Sequence, residues 1–244
     1  MTGSNFIGLD IGGTHISAVV ASNKLKIISK RIIKTPNSKI KFIKIVNHLV
    51  SKLDSKSTFI GIAVAGIISG SKLKKAPNIP FLKNFSFQDV FGKQNKIVLD
   101  NDARNFLKGE LNLIEVPEKL KTIGLTIGTG IGRSVASGKN IKKIKKLEYP
   151  VKWEGQYQKA RDSKNYRELI VILAIGLIPI IKKYKPDNII LGGGVVLNKK
   201  NKVTTPLIKI IKKMFPKTNV RIAKLGPIAG AYGSAINAKE YLKR

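Results

Sequence analysis

The sequence predicts a two-domain α/β protein, and three observations carry that prediction. Strand-like and helix-like segments alternate along most of the chain, the pattern of sheets flanked by helices. A segment of strand, glycine turn and strand at residues 6–21, FIGLDIGGTHISAVVA, returns at residues 123–137 as IGLTIGTGIGRSVAS. Aligned without gaps, Ile7, Gly8, Leu9, Ile11 and Gly12 meet Ile123, Gly124, Leu125, Ile127 and Gly128, and Val19 meets Val135. Such repetition limits the architecture and describes one structural unit used twice. Finally, 244 residues with 43% hydrophobic content suffice for one large core or two modest ones.

In the first copy the apolar run ends at Asp10, and Gly12 and Gly13 follow. Glycine tolerates backbone conformations that other residues resist, and its missing side chain lets a bulky anion reach the backbone N–H groups. A carboxylate beside a phosphate repels it unless a cation lies between them. Asp10 next to this turn therefore points to phosphate together with Mg²⁺. A hairpin that uses glycines for geometry alone would read the same. The second copy shifts the balance: it carries Thr126 in place of Asp10, and Gly128, Gly130 and Gly132. Two glycine turns at equivalent places predict two phosphate-gripping turns facing each other across a cleft between the domains.

The remaining elements follow in order. Residues 25–35 read as a further strand, broken by Pro36 and Asn37. Ile40, Ile43, Val46, Leu49, Val50 and Leu53 recur at helical spacing, with His48 incidental on that helix. Residues 58–65 read as a strand, and residues 69–91 as an irregular, turn-rich loop containing Asn78; long loops often carry binding groups. A short strand at 97–99 runs into Asp100, Asn101 and Asp102, and a helix follows from Ala103. Asp100 or Asn101 can cap that helix. Three polar side chains exceed what a cap needs, and the carboxyl end of a strand is where open α/β sheets place ligands. Residues 115–118 read as the crossing between halves, so the expected domains are 1–115 with 226–244, and 116–225. Residues 138–164 are polar, basic and poorly periodic, with Glu148, Trp153 and Glu154 among them. The longest helix is expected from Tyr166 to Lys183, bent near Pro179. A strand at 188–191 runs into Gly192, Gly193 and Gly194, where a flat or charged ligand can come close. Helix, strand and a small-residue terminal helix complete the chain, and that last helix is expected to return to the first domain.

Composition excludes several functions. With no cysteine, disulfides and thiolate metal sites are ruled out, and two histidines, His15 and His48, cannot build a histidine-rich metal centre. There is no basic start followed by an apolar secretory segment, and the longest apolar run is too short to span a bilayer. These features predict a cytoplasmic protein without a membrane partner. The formal charge of +32 fits either a polyanion-binding surface or a plain lysine bias. Lysines are spread over nearly every turn and helix. The densest cluster, residues 139–146, holds no aromatic side chain and no arginine, which favours bias over specific nucleic-acid recognition.

In this order the motifs resemble those of the ROK family of sugar kinases. Residues 10–14, DIGGT, resemble its first phosphate motif; Asn101-Asp102-Ala103 followed by Gly109-Glu110 its catalytic segment; and residues 125–132 its second phosphate motif. Residues 190–195 resemble its adenosine motif, and residues 230–235 the start of its final helix. The resemblance implies the actin-like ATPase fold of the ribonuclease H-like class, with two similar α/β domains and a cleft between them. It implies ATP-dependent phosphorylation of a sugar hydroxyl, with a hexose such as glucose as acceptor, and a homodimer. By it, Asp102 is the general base, and Asn78, Asn101, Asp102, Glu148 and Glu154 bind the sugar. Asp10 acts through Mg²⁺. Gly12, Gly13, Thr14, Gly128, Thr129 and Gly130 line the phosphate path, and Gly192, Gly193 and Gly194 approach adenosine.

The departures are as specific as the matches. Where many members carry a Gly-Glu-x-Gly-His segment and a cysteine-rich zinc motif, residues 142–157 read KKIKKLEYPVKWEGQY. The first segment's histidine is gone, with Glu148 an approximate substitute, and Glu154 stands near the glutamate that follows the zinc motif. No zinc is expected. Phosphate-handling parts are better kept than sugar-handling ones, which leaves a noncatalytic nucleotide or sugar sensor as the alternative. A nucleic-acid-binding regulator would need an added reading segment, for which the start of the first strand by Phe6 leaves no room.

Overall fold

The structure is a computed structural model and describes residues 5–54 and 58–242. Two compact units make up the chain: Met1–Glu110 with Ile228–Arg244, and Leu111–Pro227. The division falls at 110/111 and 227/228, against the expected 115/116 and 225/226.

Unit 1 opens with β1 (Phe6–Ile11), β2 (His15–Ala21) and β3 (Ile27–Lys34). Helix α1 (Lys39–Leu53) follows, capped by Ser38, whose side chain accepts the Lys41 N–H. It buries Phe42, Val46 and Leu49, one face at successive turns, each contributing roughly 1.5–3 kcal/mol of apolar burial. Next come β4 (Phe59–Val64), β5 (Ile67–Ser69), β6 (Lys72–Lys75), β7 (Phe85–Ser86), α2 (Phe87–Phe91), β8 (Lys96–Asn101) and α3 (Asp102–Asn112). The main sheet runs β3-β2-β1-β4-β8. Its hairpin strands are antiparallel, and β1, β4 and β8 are parallel.

The segment 69–91, read as irregular from sequence, instead contributes to a separate three-stranded sheet, β5-β6-β7. These strands are two to four residues long. Lysines flank Leu73 on β6, so neither length nor apolar alternation marked it.

The closing helix, Ala229–Tyr241, packs on β1, β2, β4 and β8. Its fit is backbone against backbone. A Cβ on Gly8 would overlap the Ala231 carbonyl, and one on Gly61 the Ser234 carbonyl. Ser234 Oγ donates to Leu9 O at 3.1 Å across the same contact.

Unit 2 repeats the plan with β9 (Lys121–Ile127), β10 (Ile131–Ser137), β11 (Asn140–Lys142), α4 (Lys145–Glu148), α5 (Glu154–Asp162) and α6 (Tyr166–Tyr184), then β12 (Asn188–Gly192), α7 (Gly194–Asn198), α8 (Thr205–Met214) and β13 (Asn219–Ile222). Its sheet, β11-β10-β9-β12-β13, has the order and strand directions of the first. The repeat seen in sequence is thus a repeat of topology. Helix α6 starts at Asn165, whose side chain accepts the Glu168 N–H and also donates to the Glu168 carboxylate. It ends at Lys185, left-handed with φ 45°, before Pro186. Residues 138–164, poorly periodic in sequence, hold β11, α4 and α5. The indole of Trp153 lies on Gly176 of α6, where any Cβ would overlap it. Among the described residues no helix is long and apolar enough to cross a membrane.

Candidate functional site

In unit 1 the first glycine turn joins β1 to β2. Gly12 N–H donates to His15 O at 3.1 Å, and Thr35 Oγ1 donates to Gly12 O at 2.7 Å, which ties the turn to the end of β3. His15 itself is exposed. The loop after β6 lays Asn78 on the turn: a Cβ on Gly13 would lie 2.9 Å from Asn78 Cβ. Asp10, at the end of β1, sits against the first turn of the closing helix, so close that a Cβ on Gly230 would overlap its carboxylate.

Asp102 is the first residue of α3 and lies near enough to act on Asp10 electrostatically. Burial first, and the charge of Asp102 second, push the Asp10 carboxyl up to about 8. Neighbouring carboxylates repel each other, and a divalent cation relieves that repulsion. Their hard oxygen donors suit Mg²⁺, so these residues fit the ion the sequence implies.

The strand end before Asp102 is a polar lattice. Asn101, 4% exposed, accepts the Arg104 N–H with its side-chain oxygen at 3.2 Å and so caps α3. Asp100, the other residue the sequence offers as a cap, is engaged in a separate pairing. Its Oδ1 accepts the Asn101 N–H at 2.9 Å and Arg104 Nε at 3.0 Å, and it forms an ion pair with the Arg104 guanidinium. The i,i+4 reach from strand end into helix makes this pairing possible. Asn105 donates to Asn101 O at 2.9 Å and accepts from Asn237 of the closing helix at 2.7 Å. Asn101, the residue before Asp102, is thereby held from both sides.

In unit 2 the second glycine turn joins β9 to β10, with Gly128 N–H donating to Gly130 O at 3.0 Å. The glycine run after β12 lies beside it. Gly193 has φ 92°, and a Cβ there would come within 2.5 Å of Ile127 O; one on Gly128 would lie 3.6 Å from the Gly194 N. Gly128, Thr129, Gly130, Gly192, Gly193 and Gly194 are therefore gathered in one place.

Glu154 has a placement the sequence did not foresee. One carboxylate oxygen accepts the Ile131 N–H at 3.1 Å, just past the glycine turn, and the other the Val151 N–H at 3.3 Å. Buried Arg133 lies near it: burial pulls the guanidinium pKa down and the Glu154 charge opposes this. Glu148 ends α4, half-buried, ahead of Tyr149, whose carbonyl accepts from Arg133. Two further residues at the turn escaped the sequence reading. Tyr157 donates its hydroxyl to Gly128 O at 2.6 Å, and Arg161 Nη1 donates to Gly128 O at 3.1 Å and to Thr129 O. Burial, working against the neighbouring Arg161 charge, pushes the Tyr157 hydroxyl up to about 12, which keeps it a donor. The signal for them was spacing: Glu154, Tyr157 and Arg161 stand at i, i+3 and i+7, one face of α5.

The chain is similar in sequence and in fold to known proteins. The sequence model of the ROK family matches residues 6–143, more than half of the chain. The chain is 30% identical over 138 residues to the N-acetyl-D-glucosamine kinase of Histophilus somni, covering 52% of the chain and 44% of that protein. It is 30% identical over 139 residues to the glucokinase of Thermotoga maritima, covering 54% and 44%. These matches span less than half the length of either relative. A ROK family glucokinase from Streptomyces griseus, solved with glucose and AMPPNP, superposes with a TM-score of 0.78 at 21% identity, covering 97% of this chain and all of that one.

Proposed function

The chain belongs to the ROK family, and from that premise we propose that it is an ATP-dependent kinase acting on a sugar hydroxyl. The observation that carries the reading is the carboxylate pair of unit 1. Asp10 ends β1 beside a glycine turn that Asn78 covers, Asp102 lies near enough to raise the Asp10 carboxyl through its charge, and Asp102 opens a helix whose cap, Asn101, is fixed on both sides.

In this reading Asp102 takes the hydrogen bond, and finally the proton, of the acceptor hydroxyl. Phosphoryl transfer passes through a loose transition state, so orienting that hydroxyl matters more than basicity. Asn101 and Asn78 bind neighbouring hydroxyls. Asp10, with Asp102 close by, would hold Mg²⁺, which would supply charge neutralisation for the phosphates. Each glycine turn contributes phosphate contacts within its own unit: Gly12, Gly13 and Thr14 in unit 1, where the Gly12 N–H is already spent on His15 O, and Gly128, Thr129 and Gly130 in unit 2, where the Gly128 N–H is spent on Gly130 O, while Gly192, Gly193 and Gly194 leave room for adenosine. A hexose or hexosamine is the acceptor class, in keeping with the glucokinase and N-acetyl-D-glucosamine kinase relatives.

The test is a panel of hexoses and amino sugars with ATP and Mg²⁺, read by product mass. A phosphosugar formed with stoichiometric ADP is expected. Binding of Mg·ATP by calorimetry without product from any sugar would favour the second reading, a nucleotide or sugar sensor. The observation on that side is Glu154, whose two oxygens are both engaged by backbone N–H groups.

A further inference from the structure

We infer that Arg161, with Tyr157 behind it, is a positioning residue for nucleotide phosphate; the inference rests on the nucleotide-binding part of the reading above. Helix α5 turns one face to the second glycine turn. Glu154 takes the Ile131 N–H at its far side, and Tyr157 and Arg161 donate to carbonyls within it. Gly128 O receives two donors, one of them charged, and Thr129 O receives the same guanidinium nitrogen.

The consequence follows from peptide geometry. In a planar trans peptide the N–H points opposite the C=O. Fixing the carbonyls of Gly128 and Thr129 against Arg161 turns the N–H groups of Thr129 and Gly130 to the other side of the turn. Successive N–H groups aimed one way are an anion-binding concavity. The cation also sits at the carbonyl ends of both peptides, which polarises their N–H groups toward an anion. Asp162 pairs with the outer edge of the guanidinium, Nε to Oδ1 at 2.8 Å and Nη2 to Oδ2 at 3.1 Å, leaving Nη1 to the turn. Tyr157 is fully buried, and its ring carries the guanidinium 5.6 Å from the centroid, so the arginine approaches the turn along one path.

The experiment uses the full chain and three variants, Arg161→Met, Arg161→Lys and Tyr157→Phe. Mg·ADP affinity is measured by calorimetry and adenosine affinity by ligand-observed NMR. Two charge-assisted hydrogen bonds orient the turn, so Arg161→Met is expected to weaken Mg·ADP by about 10- to 100-fold and leave adenosine within about twofold. Arg161→Lys should recover part of the loss, and Tyr157→Phe should weaken Mg·ADP by roughly three- to tenfold. A merely structural role would lower both affinities together, and that outcome overturns the inference. So does wild-type Mg·ADP affinity in Arg161→Met. Should Arg161→Met fail to fold by circular dichroism, the Arg161→Lys and Tyr157→Phe ratios decide by the same criterion. A wild-type chain that binds no Mg·ADP removes the nucleotide reading itself, a result distinct from a wild type that binds and variants that do not differ.

Discussion

Replacing Gly230 by alanine separates stability from chemistry at the first glycine turn. The added methyl would overlap the Asp10 carboxylate. The closing helix cannot back away, because its distance from β1 is set by the Gly8–Ala231 contact and from β4 by the Gly61–Ser234 contact, both against backbone. The movable part is the Asp10 side chain. Rotating it costs about 0.5–1.5 kcal/mol, and glycine to alanine near a helix start returns up to about 1 kcal/mol of propensity. The net change in stability should stay within about 1 kcal/mol, or roughly 2–4 °C in Tm for a chain of this size. The carboxylate, however, moves by about an ångström, a displacement that can cost about 10²-fold in turnover. Gly8→Ala makes the contrast: its methyl meets a carbonyl of the backbone, and overpacking there should cost about 3 kcal/mol or more. Thermal melts and kcat/KM for the nucleotide, measured on both variants, check this. Wild-type kcat/KM in Gly230→Ala, or equal melting temperatures for the two variants, would refute the argument that Asp10 is placed by the space Gly230 leaves.

Three other outcomes follow from the same site. Asp10 has its carboxyl raised to about 8 from 3.8, so its neutral form favours the folded state; that contribution is full below about pH 4 and is lost as pH rises through about 8, a few kcal/mol at most. Relative to Asp10→Asn, wild type should therefore lose stability between about pH 4 and about pH 8, and binding Mg·nucleotide at pH 7 should release close to one proton, read by calorimetry in buffers of different ionisation enthalpy. Asp100→Asn should lower stability by roughly 2–3 kcal/mol because it breaks the pairing of the largely buried Arg104, while kcat per folded molecule changes less than tenfold; a chevron and an active-site-normalised rate test the two halves.

The fold was legible where side-chain periodicity and glycine pattern carry it. The repeat of residues 7–21 at 123–137 became two sheets of one order, because the same alternation of apolar residues and the same turn dictate the same hairpin. The β5-β6-β7 sheet was not legible, since strands this short leave no alternation to read. At the site, the glycine pattern placed Gly12 and Gly13 in a turn after Asp10, which is where the structure has them, while the contact of Asn78 with Gly13 depends on the path of its loop. Asp100 was not, because its partner Arg104 depends on where α3 begins. Glu154 carried a resemblance to a sugar ligand, but its tertiary partners are the backbone N–H groups of Ile131 and Val151. Tyr157 and Arg161 lay in a segment whose low apolar content hid its helical period, since only Tyr157 and Ala160 of α5 are buried.

The central claim, that Asp102 orients and deprotonates a sugar hydroxyl for transfer from ATP, is tested most directly by Asp102→Asn. The change keeps size and shape and removes the proton acceptor. With the acceptor found by the sugar panel, the account predicts that turnover falls by roughly 10²–10⁴-fold while Mg·nucleotide affinity changes by less than about tenfold, one carboxylate charge being removed near the bound cation. Full turnover in Asp102→Asn would contradict it and leave Asp102 as no more than the first residue of its helix.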